Sequence, residues 1–175
     1  DCTLRDGSYV VDFGFTAEQT KAVCSALDSA GIAYVEVGHG YGLGAWRKGM
    51  RAAESDQAYL KAARGALQRA RLGAFFNPKI GTLDDLKAAR DAGLDFVRVG
   101  SNANQVEGAE NAVTEAKKLG LEVSFNFMKS YALAPEKLAD NARKMEAAGS
   151  DVLCVVDSAG CMLPEEVSRY VRLLK

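Results

Sequence analysis

The chain is 175 residues long, 48 % hydrophobic and 26 % charged, with a formal net charge of -1, which is enough to bury a sizeable core in one domain. No long basic run offers a footprint for nucleic acid, and no apolar run approaches the roughly 20 residues that a membrane helix needs. Cys2, Cys24, Cys154 and Cys161 form no Cys-x-x-Cys pair, which favours buried thiols in a reducing cytoplasm over a disulfide framework or a zinc knuckle.

The opening heptad, Asp1-Cys2-Thr3-Leu4-Arg5-Asp6-Gly7, reads as a short apolar strand that breaks into charge. Alternation puts Thr3 and Arg5 on one face and Cys2 and Leu4 on the other, and Gly7 allows a sharp turn. Arg5 on the rim suits a carboxylate or enolate oxygen, and Asp6 beside it suits a hard divalent cation. The plainer alternative is that the two pair with neighbours at a strand end. The chain starts inside this strand with no initiator methionine or leader, and so reads as a fragment.

A helix follows. Thr16-Ala-Glu-Gln19 has the form of a capping box, Val23, Ala26, Leu27 and Ala30 make an apolar stripe expected to face the core, and Gly31 suits the C-terminal cap. The strand Tyr34 to Val37 then ends in Glu36-Val37-Gly38-His39-Gly40. His39, the only histidine, stands at that strand tip, where a titrating role and a structural one are equally open. A strand over Leu72 to Phe76 runs into Asn77-Pro78, and Thr82-Leu-Asp-Asp85 starts the next helix. Gly93 precedes the strand Phe96 to Val99. Asn77-Pro78 and the stretch from Arg98 to Ser101-Asn102 read as turns sooner than as ligands.

Gly120 precedes the next strand, where Ser124, Asn126 and Met128 point one way and Phe125, Phe127 and Lys129 the other, with Asn126 toward the interior. Pro135 suits a first helical turn, Leu138, Ala142, Met145 and Ala148 form a second core-facing stripe, and Gly149 closes that helix. After the strand Val152 to Val155, Asp157-Ser158-Ala-Gly160 is suited either to a substrate carboxylate or to a helix N-cap, with Pro164 in the following first turn.

Counting Asp1 to Arg5 as the first strand gives six strand and helix units of about 30 residues each, the pattern of parallel βα architecture. A doubly wound sheet would carry a Gly-rich phosphate loop after an early strand, and none is present. The expected fold is α/β, a TIM (β/α)8 barrel. Since a whole barrel needs about 250 residues, residues 1–175 are expected to be a single piece, the N-terminal part of a catalytic barrel lacking its last two units.

Asp-x-Thr-Leu-Arg-Asp-Gly at residues 1–7 resembles the opening motif of the DRE-TIM metallolyases, the HMG-CoA lyase-like superfamily, and Asp157-Ser158-Ala-Gly160 with Pro164 resembles that superfamily's strand-six motif. Within it, Val35-Glu36-Val37-Gly38-His39-Gly40-x-Gly42-Leu43, Met128-Lys-Ser130 and Pro135-Glu-Lys-Leu138 are most similar to the 4-hydroxy-2-oxovalerate aldolases, and the resemblance covers nearly the whole chain. It implies a divalent-metal-dependent carbon–carbon lyase, with Asp6 as a ligand of Mn2+ or Mg2+, Arg5 stabilising a pyruvate enolate and Ser158 on the pyruvyl carboxylate. Glu36 and Asn126 join the substrate-binding set from their strand positions.

Two departures stand out. The family's other metal ligands, a His-x-His pair on the seventh strand, would lie beyond Lys175, so the fragment alone is expected to be inactive. The aldolases also carry a catalytic histidine where this chain has Tyr9, leaving Tyr9 or His39 as its replacement. The implied reaction is cleavage of a 4-hydroxy-2-oxo acid to pyruvate and an aldehyde. The alternatives are a Claisen-type acetyl-CoA-dependent acyltransferase of the isopropylmalate or homocitrate synthase kind, or a non-catalytic barrel scaffold. Expected partners are the small 2-oxo acid substrate and an acylating aldehyde dehydrogenase, with neither nucleic acid nor membrane. A homo-oligomer is expected too, and the exposed strand edges of a partial barrel are expected to make the fragment alone prone to association or swapping.

Overall fold

In the computed structural model, which describes residues 1–175, helices begin and end where side chains and glycines satisfy their free backbone groups. Six helices alternate with five strands: α1 (Ala17–Ser29), β1 (Tyr34–Glu36), α2 (Asp56–Ala66), β2 (Arg71–Phe76), α3 (Leu83–Asp91), β3 (Phe96–Asn102), α4 (Ala109–Lys118), β4 (Glu122–Met128), α5 (Pro135–Ala147), β5 (Val152–Val155) and α6 (Pro164–Leu174). Thr16 with Gln19, and Thr82 with Asp85, form the expected capping boxes, and Pro135 and Pro164 each occupy the first turn of their helix. Gly31, Gly93, Gly120 and Gly149 all have positive φ, between 77° and 105°, which an L side chain rarely adopts.

The strands form one sheet in the order β1-β2-β3-β4-β5, and the β1/β2 and β4/β5 pairs are parallel. Sheet order that follows chain order without a reversal is the order of successive barrel units, whereas a doubly wound sheet switches direction. The α/β class is as expected from the sequence. No helix is long and apolar enough to cross a membrane.

The chain divides into two compact units, Asp1–Val97 and Arg98–Lys175. In the first, α1 packs on α2 and α2 on α3, with Val35, Val37, Leu60, Leu72, Phe76 and Leu86 buried. In the second, α4 and α5 pack together, α5 meets α6, and Val123, Phe125, Phe127, Leu138 and Met145 fill the core. Phe125 and Phe127 lie edge to face at 4.8 Å, and Ser124 Oγ donates to Asn126 Oδ1 at 3.3 Å, as period-two alternation along β4 requires. Leu138, Ala142 and Met145 are buried as expected and Ala148 is half-buried.

Two local expectations are corrected. Residues 1–5 are a turn rather than a strand, leading into a 3-10 turn over Asp6–Tyr9. Only Asp1 lies along β1, its amino group donating to Tyr34 O at 2.7 Å and its carbonyl accepting Glu36 N–H at 2.9 Å. The Asp1 carboxylate then takes Thr3 N–H, and Cys2 O takes the N–H groups of Arg5, Asp6 and Gly7. Local hydrogen bonds of this kind compete with a sheet ladder and here displace it. Leu4 and Arg5, adjacent in sequence, are both buried in this turn.

The second correction concerns α1. Its buried stripe is Thr20, Cys24 and Asp28; Val23 and Leu27 are half-buried, and Ala26 and Ala30 are exposed. Asp28 fixes this rotation, because its carboxylate accepts Arg69 N–H at 2.9 Å and Ala70 N–H at 2.7 Å at the entrance to β2. Those backbone hydrogen bonds hold its carboxyl below the usual carboxylate range.

A related device recurs. Asp95, two residues after Gly93, accepts Leu72 N–H at 2.8 Å and Arg64 at 2.9 Å. Asp151, two residues after Gly149, accepts Val123 N–H and Lys117, both at 2.7 Å. In each case the cation crosses the glycine: a Cβ on Gly93 would lie 2.8 Å from Arg64 Cδ, and one on Gly149 would lie 3.0 Å from Lys117 Cγ. Gly31 has open space around it instead. Gly31→Ala should therefore destabilise by about 1 kcal/mol through backbone conformation alone, and Gly93→Ala by measurably more, as read by denaturant unfolding. Equal losses would show that the Arg64 crossing is irrelevant.

Candidate active site

The first unit gathers a cluster around the end of β1. Arg5 and Glu36 are both buried, and Arg5 Nε donates to Glu36 Oε1. Arg5 Nη1 donates to Asp6 Oδ1 at 2.7 Å, and its guanidinium carbon lies 5.2 Å from the Phe75 ring centroid. Two carboxylates and an aromatic face therefore fix the guanidinium plane. Its Nη2 makes no hydrogen bond to the protein. Glu36, expected to touch substrate, orients Arg5.

Asp6 is exposed, with 60 % of its side chain open, and only Oδ1 is engaged. No group of three His, Cys, Asp or Glu side chains stands together anywhere in the chain. The donor set fits a divalent cation only as a single hard oxygen ligand, and one carboxylate does not hold such a cation against water.

Tyr9 follows Asp6 by three residues within the same 3-10 turn, a spacing that puts the two side chains on one side. Its phenol pKa is raised, first by burial and then by Tyr41, while the Arg5 guanidinium opposes the rise. The ring meets Phe13 and Tyr41 edge to face at 5.1 and 5.2 Å. It also lies over Gly40, where an added Cβ would come within 2.5 Å of it.

His39 is buried, with Nε2 2.9 Å from Arg51 O and Nδ1 accepting Tyr41 N–H at 3.1 Å. The first contact requires a protonated Nε2 and the second an unprotonated Nδ1, so the neutral tautomer satisfies both. Burial lowers its pKa further. Of the two roles the sequence leaves open for His39, titrating and structural, these contacts are those of the structural one, since both ring nitrogens are engaged by the backbone. It stacks on Phe13 at 4.2 Å and 13° and holds the segment that carries Tyr41.

The second unit holds the remaining candidates. Asn126 is buried on β4, and Ser124 Oγ lies 3.5 Å from Cys154 Sγ on β5. Ser158 is exposed, and its Oγ accepts Lys129 N–H at 3.0 Å. Asp157 Oδ2 accepts Met162 N–H at 2.8 Å, a bond that holds its carboxyl below the usual range. It closes the turn before α6 rather than capping the helix, whose first free N–H, at Leu163, goes to Glu166 Oε2 at 2.7 Å.

Sequence reasoning missed Phe13, Tyr41 and Asp56. The first two are aromatic residues in polar, glycine-containing loops, a signal that was present in the sequence. Asp56 begins α2 and is buried; its Oδ2 accepts Gly44 N–H at 2.6 Å, while Oδ1 and the neighbouring Trp46 Nε1 have no partner.

The whole chain, residues 1–175, matches the HMGL-like family. It belongs to that family. It is 42 % identical over 173 residues to a 4-hydroxy-2-oxovalerate aldolase of Moorella thermoacetica, covering 98 % of this chain and 51 % of that protein. It is 38 % identical to an oxaloacetate decarboxylase of Mycobacterium tuberculosis, covering all of this chain and 52 % of the relative. The chain thus spans about half the length of the curated relatives it matches. Among solved structures, the carboxyl transferase domain of Rhizobium etli pyruvate carboxylase superposes with a TM-score of 0.82 at 17 % identity, over 99 % of this chain and 32 % of that one, a likeness of fold.

Two predictions follow the charges. Glu36→Gln should destabilise the protein by about 3 kcal/mol, because it strands part of a buried guanidinium; unfolding midpoints would measure this. Burial and Asp85 push the Asp56 pKa up to about 6, from 3.8. A folded-state value raised in this way favours the native state below pH 4, and the advantage is lost as pH rises through 6. Asp56→Asn should remove that loss, so the variant gains on the natural protein by about 3 kcal/mol across the window, as read by unfolding at pH 4 and pH 7.

Proposed function

We propose that the protein to which this chain belongs cleaves 4-hydroxy-2-oxo acids to pyruvate and an aldehyde, a reading supported by its Moorella relative, which is named a 4-hydroxy-2-oxovalerate aldolase. The observation that carries the reading is the Arg5, Asp6 and Tyr9 arrangement, with a buried, oriented guanidinium beside an exposed carboxylate and a phenol on one short turn.

In cleavage, a base takes the C4 hydroxyl proton and the C3–C4 bond breaks. Its electron pair passes into the C2–C3 enolate, C4 leaves as the aldehyde, and a proton returned to C3 turns the enolate into pyruvate. Arg5 Nη2 is suited to the oxygen on which enolate charge develops. Asp6 is the one residue here suited to a divalent cation, Mn2+ or Mg2+, which when bound would supply positive charge at the 2-oxo group and would need further ligands beside Asp6. Tyr9 serves as the acid–base group. Its raised pKa keeps the phenol protonated at neutral pH, ready to protonate the aldehyde oxygen in condensation and, as tyrosinate, to deprotonate the hydroxyl in cleavage.

Glu36 is assigned as the positioning residue for Arg5; in the second unit, Asn126 is assigned to substrate binding and Ser158 to a carboxylate. We read residues 1–175 as part of one barrel domain in a homo-oligomeric cytoplasmic enzyme, in keeping with four free cysteines. The aldehyde product passes to an acylating aldehyde dehydrogenase. Oxaloacetate decarboxylation, the activity named for the Mycobacterium relative, leaves the same pyruvate enolate and is the second reaction to assay.

The test is pyruvate release by the protein at its natural length from racemic 4-hydroxy-2-oxo acids, after chelation and with Mn2+ restored. Metal-dependent release is expected, with cleavage rising through the alkaline range as Tyr9 ionises. Tyr9→Phe should lose about 100-fold or more in kcat together with that alkaline rise. An unchanged pH profile in Tyr9→Phe would remove Tyr9 from the mechanism, and absence of pyruvate would remove the aldolase reading.

A further inference from the structure

Beside Arg5 and Asp6 stands a group of rings of which the chemistry above uses only the Tyr9 hydroxyl. Tyr9, Phe13 and Tyr41 touch one another, with centroids 5.1 to 5.7 Å apart, and Tyr9 and Tyr41 are each 43 % exposed. The group is built into the fold. Phe13 and Asp12 both have positive φ, 56° and 50°, a strained backbone for residues other than glycine, of the kind that collects at functional sites. Phe13 is held there by its N–H to Ser8 O at 2.7 Å and by Ala53 N–H to its carbonyl at 3.0 Å. Behind it, His39 is locked in plane by backbone hydrogen bonds through both ring nitrogens. Gly40 lets the Tyr9 ring lie against the backbone.

Val10, 90 % exposed, and Val11 extend the apolar surface along the same loop. Strain, close packing and exposed apolar area at the rim of a charged site describe a surface waiting for an apolar group. The 2-oxo acid head belongs at Arg5 and Asp6. The shared side of the 3-10 turn then puts Tyr9, and the rings it touches, next to whatever the head is joined to.

We propose that Tyr9, Phe13 and Tyr41 form the wall against which the aldehyde half of the substrate lies, and that this half is a bulky apolar group, aromatic or branched. The inference rests on the aldol reading and names its substrate class. A methyl tail leaves the wall exposed, whereas a phenyl or branched tail covers it and gains the edge-to-face contacts that the rings already make with one another.

The experiment compares kcat/KM for cleavage of 4-hydroxy-2-oxo acids that differ only at C4, methyl against isobutyl and phenyl, using the protein at its natural length with Mn2+. The natural protein should favour the bulky tails by at least about 10-fold. In Phe13→Leu and Tyr41→Ala the phenyl-to-methyl ratio should fall by about 10-fold, whereas damage to folding lowers both rates together and leaves the ratio intact. Exchange of the pyruvate methyl protons with solvent reports the enolate step without any aldehyde. Exchange with no tail preference, or an unchanged ratio in both variants, overturns the wall alone; absence of exchange overturns it together with the aldol reading.

Discussion

The site depends on one buried charge. Arg5 cannot leave water uncompensated, since moving an ion of that size into the interior costs several kcal/mol even after relaxation. The Glu36 carboxylate at the end of β1 meets it, and Asp6 takes a second face of the same fork. Such pairs come close to break-even for stability, so what this one supplies is direction. With Nε and Nη1 committed and Phe75 beneath the plane, the guanidinium has one remaining nitrogen and one orientation. The turn that carries Asp6 and Tyr9 follows directly, and its placement against β1 is set by the same contact.

Much of the scaffold was legible because its signals are local. A threonine three residues before a glutamine or an aspartate, a proline in a first turn and a glycine at a positive φ each act within one helical turn, and each was found where the sequence put it. The opening segment was misread for the converse reason. Whether five residues extend or coil depends on which partners are at hand, and the Asp1 carboxylate and Cys2 carbonyl captured the N–H groups that a ladder would have used. The stripe of α1 differs from the apolar periodicity because Asp28 spans to residues 69 and 70 across 41 and 42 positions of chain. Apolar periodicity does not register a buried carboxylate that is fully partnered.

Candidate site residues divide the same way. Arg5, Asp6 and Glu36 were read from residue type and strand position, and the structure brings them together. His39 shows the limit of that logic. A lone histidine at a strand tip beside glycines has the sequence profile of a base, but its role was decided by two backbone groups, the Arg51 carbonyl and the Tyr41 amide, neither of which leaves a mark on composition. Those two bonds turn an acid–base group into a rigid plate on which Phe13 stacks.

The consequence reaches Tyr9. With both ring nitrogens of His39 engaged, the titratable ring that shares the turn with Asp6 is a phenol whose pKa burial raises and Arg5 restrains. A phenol in that state stays protonated at neutral pH, and its acidity is tied to how far Arg5 offsets its desolvation, and through Arg5 to the carboxylate of Glu36 that keeps the guanidinium in place.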